Sequence, residues 1–411
     1  MKKGFKIVAA AVISLTAAFA LSWVLTLGVP AKANGYERHV LGAEDFLHTE
    51  GVNIVNTKGE VIALRGTNAG GWLVYERWMN PFDTTGQQTI RRILAERFGA
   101  EVRDELIAVY EDAYWQEQDF DNCAEMGMSL IRLPFNIFNL CGDGDELLPN
   151  AFDRLDWFVE NCRVRGIYVM LDLHGAFGSQ NGEHHSGIIN DGRQLYYNEE
   201  NRAKTTALWQ EIAKHYRGNP AVAGYDLLNE PDNDTHKTGE VQWDYFDELY
   251  DAVREVDPDH IIIMESCWTT ADLPSPLRYG WKNVVYQYHH YIREIFDDET
   301  KMNWATMGMT YITRINDALR GVPSFVGEFS FFELKGSWET ALKTWNRVGF
   351  GWTTWTYKVT GESSSWGIYN HTPETVYLQT DTAEEIRAKW SKVGYEYAHE
   401  SEYYEIIKSF L

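Results

Sequence analysis

Two glutamates in this 411-residue chain have the setting of reacting groups. Glu230 lies in Leu228-Asn229-Glu230-Pro231, and Glu328 lies in Gly327-Glu328-Phe329. Each closes a short apolar run. Paired carboxylates can divide the work of cutting a glycosidic bond, one protonating the leaving oxygen while the other attacks the anomeric carbon. Either glutamate alone would read as a surface or salt-bridged residue, because charged groups are seldom buried unpaired. Two of them at strand ends, with Asn229 beside the first, meet the criteria for an assembled site.

The elements that must position them alternate between short apolar strands and amphipathic helices. Strand runs are read at Leu64 to Asn68, Ser129 to Leu133, Ile167 to Leu173 and Val222 to Leu228. They continue at His260 to Met264, Val284 to His289, Ser324 to Val326 and Gly349 to Trp355. Helices are read at Gln88 to Phe98, Phe152 to Arg163, Arg202 to His215 and Trp243 to Val256. Val52 to Val55 and Val61 to Leu64 flank turn residues and read as a hairpin. Eight strands alternating with helices predict an α/β fold, a (β/α)₈ TIM barrel. A doubly wound open sheet is the alternative, but Gly66, Gly70 and Gly71 do not form the GxGxxG turn that such sheets usually carry. No repeat or linker interrupts residues 34–411, which are read as one domain.

Barrel enzymes place their sites at the C-terminal ends of the strands. Here those ends carry Arg132, Asp172, His174, Asn229, Glu230, His289, Tyr291, Glu328 and Trp355. One such residue is a helix cap; so many together read as a rim built for chemistry. Strands four and seven face each other across the barrel, so Glu230 and Glu328 can meet over its axis.

With these motifs in view, the chain resembles the glycoside hydrolase family 5, cellulase-like enzymes. Leu228-Asn229-Glu230-Pro231 is similar to that family's acid/base motif and Gly327-Glu328-Phe329 to its nucleophile motif. Arg132, His174, Asn229, His289, Tyr291 and Trp355 fall where the family has supporting residues. Two longer segments, Arg65 to Val74 and Asp172 to Gly182, resemble the exo-β-1,3-glucanase (glucan β-glucosidase) branch. The resemblance implies a retaining glycosidase acting on β-glucans or β-glucosides. Arg132 and Tyr291 would keep Glu328 ionised, and Asn229 would bind the sugar 2-hydroxyl. His174 and His289 would bind hydroxyls or orient the glutamates, and Trp355 would floor the reacting sugar. Glu76 would grip the terminal sugar, with Tyr357 and Lys358 as outlying candidates. An endo-β-1,4-glucanase of the same family and a non-catalytic sugar-binding barrel remain alternatives. Linkage stays open, because the loops at Gly142 to Glu146 and Gly182 to Asp191 look individual.

Bulk properties bound the partners. A formal net charge of -23, from 60 acidic and 37 basic side chains, repels phosphate backbones and argues against nucleic acid. A neutral oligo- or polysaccharide is unaffected by it, and 16 Trp and 23 Tyr offer faces for pyranose rings, although most aromatics serve cores. Cys123, Cys141, Cys162 and Cys267 lack CxxC pairing and read as small buried hydrophobes. His174, His184, His185, His289 and His290 could suggest a metal hydrolase, but no HExxH is present. No GxSxG elbow supports a serine hydrolase, and the acidic loop Asp143 to Glu146 lacks EF-hand spacing. No cofactor, metal or obligate protein partner is expected. Lys2, Lys3 and Lys6 precede an apolar run to Val29, then Ala31-Lys32-Ala33. Residues 1–33 therefore read as a cleaved signal or an uncleaved anchor, and either places the rest of the chain outside the cytoplasm.

Overall fold

The computed structural model describes residues 38–190, 194–231, 239–267, 269–292, 295, 297–361 and 366–411. Segment 1–33 lies outside them, as does Asp191 at the end of the 182–191 loop. Among the described residues no helix is long and apolar enough to cross a membrane.

Eight parallel strands close into a barrel: β1 Arg65–Asn68, β2 Leu130–Asn136, β3 Tyr168–Gly175, β4 Val222–Asp226, β5 Ile261–Glu265, β6 Val284–His290, β7 Ser324–Phe329 and β8 Gly351–Thr354. Each pairs with its sequence neighbours, and β8 closes the ring by pairing Trp352 with Arg65 of β1 and with Val326 of β7. The eight runs read from sequence are these eight strands. β1 and β2 approach so closely that a side chain on Gly66 would set its first carbon 1.8 Å from the Leu130 carbonyl oxygen.

Helices α1 Gln87–Phe98, α2 Ala100–Tyr114 and α3 Glu117–Met126 cross from β1 to β2, and α4 Asp153–Val164 crosses to β3. The remaining long crossovers are α5 Glu199–Tyr216, α6 Gly239–Val256, α7 Glu299–Arg320 and α8 Lys335–Val348. Between β5 and β6 the alternation lapses to two short helical turns, Thr270–Asp272 and Pro276–Tyr279. Behind Glu328, Phe329 packs on Trp338 and Trp345 of α8 with ring centroids 5.4 and 4.7 Å away. Such aromatic pairs add about 0.5–1.5 kcal/mol beyond the area they bury, so the strand that carries Glu328 is firmly backed.

Strand ends differ from the apolar runs in a way that matters. β2 continues to Asn136, so Arg132 sits within the strand rather than at its end. β3 likewise contains Asp172 and His174, and β5 takes in Glu265. Apolar runs mark where both faces of a strand are covered by carbon. The backbone ladder continues beyond them, where alternate side chains enter a polar barrel interior. Asn68, Arg132, Asp172, Asp226, Glu265 and Gln287 are all fully buried there. The N-terminal hairpin is displaced as well: His48–Glu50 pairs antiparallel with Asn53–Val55, and Val61 makes only a single bridge to Val55. Gly51, at φ 58°, turns that hairpin, in a region that glycine enters without steric cost. Cys123, Cys141 and Cys162 are buried and form no disulfide, and Cys267 is half-buried.

Candidate active site

Glu230 follows β4 and Glu328 ends β7, and barrel closure brings them face to face. One side-chain oxygen of each, together with a His289 nitrogen, lies within 4.8 Å of the others. The two carboxyls have different partners. Arg132 Nη1 donates to Glu328 Oε1 at 2.9 Å, and the Tyr291 hydroxyl donates to Glu328 Oε2 at 3.0 Å. Glu230 Oε1 lies 2.8 Å from His289 Nδ1, and Glu230 Oε2 lies 3.4 Å from His185 Nε2. Sequence placed Arg132 and Tyr291 on Glu328, and the geometry agrees.

Arg132 is enclosed on every side. Four carboxylates surround its fully buried guanidinium: Asp226 at 2.8 Å, Glu328 at 2.9 Å, Asp172 at 3.1 Å and Glu265 at 3.5 Å. It also donates to Asn229 Oδ1 at 2.9 Å and Asn68 Oδ1 at 3.1 Å. Burial works against its charge, but Asp172, Asp226, Glu328 and Glu265 more than offset this, so the guanidinium stays charged. One cation among four acids leaves an excess of negative charge. Burial therefore pushes the Asp172, Glu265 and Glu328 carboxyls above the usual carboxylate range, with Arg132 pulling each back. Glu230 adds to the upward push on Glu328, and the Tyr291 hydroxyl opposes it. Burial and then Arg132 hold His289 well below its ordinary imidazole range, so it is neutral at neutral pH.

The backbone at Glu230 is strained. Its φ is 40°, in the left-handed region, which costs a non-glycine residue of the order of 1–3 kcal/mol. Neighbouring side chains hold it there. Glu265 Oε1 accepts the Glu230 N–H at 2.8 Å, and Asn181 Nδ2 donates to the Glu230 carbonyl at 3.1 Å. Gln180 Nε2 fixes the preceding Asn229 carbonyl at 2.8 Å.

Other candidates take roles that differ from expectation. The His174 ring bonds Asp172 Oδ2 through Nδ1 at 2.7 Å and stacks on Trp355, with centroids 5.3 Å apart and planes 5° from parallel. It braces the Trp355 ring, while His289 and His185 are the histidines beside the Glu230 carboxyl. Glu76 is buried beside the site, where Trp78 Nε1 donates to its Oε2 at 2.7 Å and His184 Nε2 lies 2.8 Å away. Tyr357 and Lys358 are not part of this cluster. Tyr357 bonds Asn122, and Lys358 pairs with Asp119 and donates to the Tyr114 carbonyl, so both serve the seam with α2 and α3. Local sequence gave little warning, because both follow the last barrel strand within four residues, as Trp355 does within one.

Sequence reasoning also missed residues. Glu265 had the same signature as Glu328, an acid closing an apolar run, but its run was read as ending one residue earlier. Asp226 and Gln287 gave no such signal, lying inside runs that read as core. Trp366, beside Trp78 (4.9 Å), Tyr291 (5.4 Å) and Phe332 (5.1 Å), adds an aromatic wall at the mouth that only folding reveals.

Glu76, His184 and His185 could each offer a metal one atom within 4.8 Å of the others. These atoms are committed to one another and to Trp78 and Asn181 instead. His290 turns to Thr306 and His174 to Asp172, so the five histidines do not form one ligand set. The Glu76–His184 contact has a pH signature. Glu76 raises the His184 imidazole, and His184, His185 and Trp78 outweigh burial to lower the Glu76 carboxyl. The contact is thus fully present below the ordinary imidazole range, about 6.5, and is lost as pH rises through the raised value; acid titrating Glu76 sets the lower bound. In thermal unfolding, His184→Asn should be less stable than the parent at about pH 6 and match it at about pH 9.

Comparison with known proteins agrees with this geometry. A β-xylosidase of Phanerodontia chrysosporium is 31% identical over 250 residues, covering 60% of this chain and 52% of that protein. A protein of Aspergillus fumigatus named "Probable glucan 1,3-beta-glucosidase A" is 28% identical over 240 residues, covering 57% and 56%. The chain thus spans about half the length of these curated relatives. Solved structures share the fold: endogalactoceramidase at a TM-score of 0.62 and 18% identity, covering 84% of each chain, and a rutinosidase from Aspergillus niger at 0.59 and 18%, covering 74% and 92%. The model of the cellulase family matches residues 83–361, a span that includes Arg132, His174, Asn229, Glu230, His289, Tyr291, Glu328 and Trp355. With barrel, facing glutamates and family model in agreement, the chain belongs to the cellulase family, glycosyl hydrolase family 5.

Proposed function

We propose that this protein is a retaining β-glycosidase that hydrolyses β-glucans or β-glucosides from a chain end, outside the cytoplasm. The observation that carries the reading is the approach of Glu230 and Glu328 oxygens within 4.8 Å. Retaining enzymes hold their carboxyls about 5–5.5 Å apart, whereas inverting ones need about 6.5–9.5 Å to admit a water.

The partners assign the roles. Close carboxyls do not both ionise cheaply, so the pair tends to share one proton. The permanent cation Arg132 and the Tyr291 hydroxyl stabilise charge on Glu328, while Glu230 faces the neutral His289. The donor set marks Glu328 as the carboxyl that bears charge at attack, which leaves Glu230 as the proton donor in this reading. Glu328 attacks the anomeric carbon as Glu230 protonates the departing oxygen, and a glycosyl ester forms on Glu328. Glu230, now ionised, deprotonates a water that cleaves the ester, and the starting anomeric configuration returns.

End-wise action is supported by the loop after β3. It reaches the β1 loop through His184–Glu76 and touches Glu230 through Asn181, walling one side of the glutamate pair. The apolar segment before residue 34 supports export or anchoring. Products from laminarin, cello-oligosaccharides, aryl β-glucosides and aryl β-xylosides will fix the substrate, and released glucose as the first product is the expected outcome. Internal cleavage of cello-oligosaccharides would favour an endo-β-1,4-glucanase. Glu230→Gln should lower kcat/KM about 10²–10⁴-fold on a phenyl glycoside, the span of general acid catalysis. NMR of the first-formed product should show the β anomer.

A further inference from the structure

We propose that Glu265, on the barrel strand beside the one that leads into Glu230, is the positioning residue that sets the acid/base glutamate. This rests on the reading of Glu230 as acid/base. Glu265 is fully buried and makes contacts with both its oxygens. Oε1 accepts the strained Glu230 N–H at 2.8 Å and lies 3.3 Å from His289 Nε2. The other nitrogen of that imidazole, Nδ1, is bonded to Glu230 Oε1 at 2.8 Å. A single carboxyl thus bonds the Glu230 backbone directly and lies close against the far side of the ring that meets its side chain, without a hydrogen bond to that ring. Oε2 is itself fixed, accepting from Gln287 Nε2 at 2.8 Å with Arg132 Nη2 at 3.5 Å.

The backbone contact matters because of the conformation it holds. A glutamate before proline at φ 40° is off the favoured regions twice over, since proline also restricts the residue before it. Release of its N–H would let residue 230 turn toward negative φ and swing the carboxyl away from Glu328. Asn181 grips the carbonyl of the same residue at 3.1 Å, from the loop after β3. Glu265 and Asn181 form a clamp on one peptide unit, and the barrel interior and the loop each supply one jaw. The ionisable groups facing this clamp are Asp172 from β3, Asp226 from β4, Arg132 from β2, Glu328 from β7, and His289 and His185. Nucleophilic attack by Glu328 does not pass through it. Loss of the clamp should therefore weaken proton donation and spare attack.

The test compares kcat/KM on phenyl β-glucoside, whose leaving group needs a proton, with that on dinitrophenyl β-glucoside, which does not. Glu265→Ala and Asn181→Ala should each lose about 10- to 100-fold on the phenyl substrate, the size found when a residue that orients a metal-binding side chain is removed. Both should stay near the parent on the dinitrophenyl substrate. Glu265→Gln keeps an acceptor oxygen for the Glu230 N–H and should recover part of the loss. Equal losses on the two substrates, or none, would overturn the proposal. If Glu265→Ala fails to fold, Asn181→Ala and Glu265→Gln decide. Glu230→Ala in azide separates the underlying reading: β-glucosyl azide forms if Glu230 is the acid/base, and its absence would sink that assignment rather than the clamp.

Discussion

Glu328→Ala should abolish turnover, with kcat falling about 10⁴- to 10⁶-fold, the loss typical of removing a covalent nucleophile. The reason is local and specific. Glu328 is the carboxyl that meets Arg132 Nη1 and the Tyr291 hydroxyl, so it is the one with donors to spread its charge before attack. Alanine takes one acceptor from each donor and leaves the anomeric carbon without an attacking atom. Glu230 cannot substitute, because its side chain is turned to His289 and its proton is needed by the leaving oxygen. The fold should survive, since removing one of four carboxylates from a single guanidinium lowers the excess of buried negative charge. Steady-state hydrolysis of an aryl β-glucoside, with circular dichroism and thermal unfolding as fold controls, provides the check. A variant that kept a tenth of the parent rate would exclude the covalent route through this residue.

Arg132→Met should instead show its largest effect on stability. Methionine roughly matches the length of arginine and fills much of the same space, but it strands Asp172, Asp226, Glu265 and Glu328 without a cation. Breaking a buried ion pair by removing one partner costs about 3–5 kcal/mol, because the partner's charge stays buried. The sign of the pH dependence follows. The Asp172, Glu265 and Glu328 carboxyls are already pushed up by burial, and losing Arg132 pushes them further, so the penalty falls where they would otherwise ionise. It shrinks as pH falls toward about 4, where carboxyls are protonated in the unfolded chain too. Denaturant unfolding at about pH 7 and about pH 4.5 should therefore show a wide gap from the parent that narrows in acid. A gap that did not change with pH would mean that lost packing, not lost charge, dominates. Arg132→Lys should not restore activity, because an ammonium cannot reach Glu328, Asp226 and Asn229 at once as the planar fork does.

Much of this protein was legible from local pattern alone. The eight barrel strands, the two glutamates at the ends of strands four and seven, and the donors Arg132 and Tyr291 all follow from periodicity, strand-end chemistry and family motifs. These signals are local, because alternation of side chains and the covering of strands by helices leave their mark within a few residues. What only the tertiary structure decided depends on residues brought together by barrel closure. Arg132 proved to be the centre of a four-carboxylate cage because β2 carries it into the interior, where Asp226 and Glu265 arrive from strands that read as plain core. His174 was turned to Asp172 and Trp355 by the same interior packing. Tyr357 and Lys358, adjacent to Trp355 in sequence, left the site because the chain turns into the seam with α2 and α3 after β8. The clamp of Glu265 and Asn181 on Glu230 joins three segments with no shared local pattern. Sequence could point to the two carboxylates proposed to react; their separation, and what holds one in a strained backbone, is set by how the strands meet across the barrel.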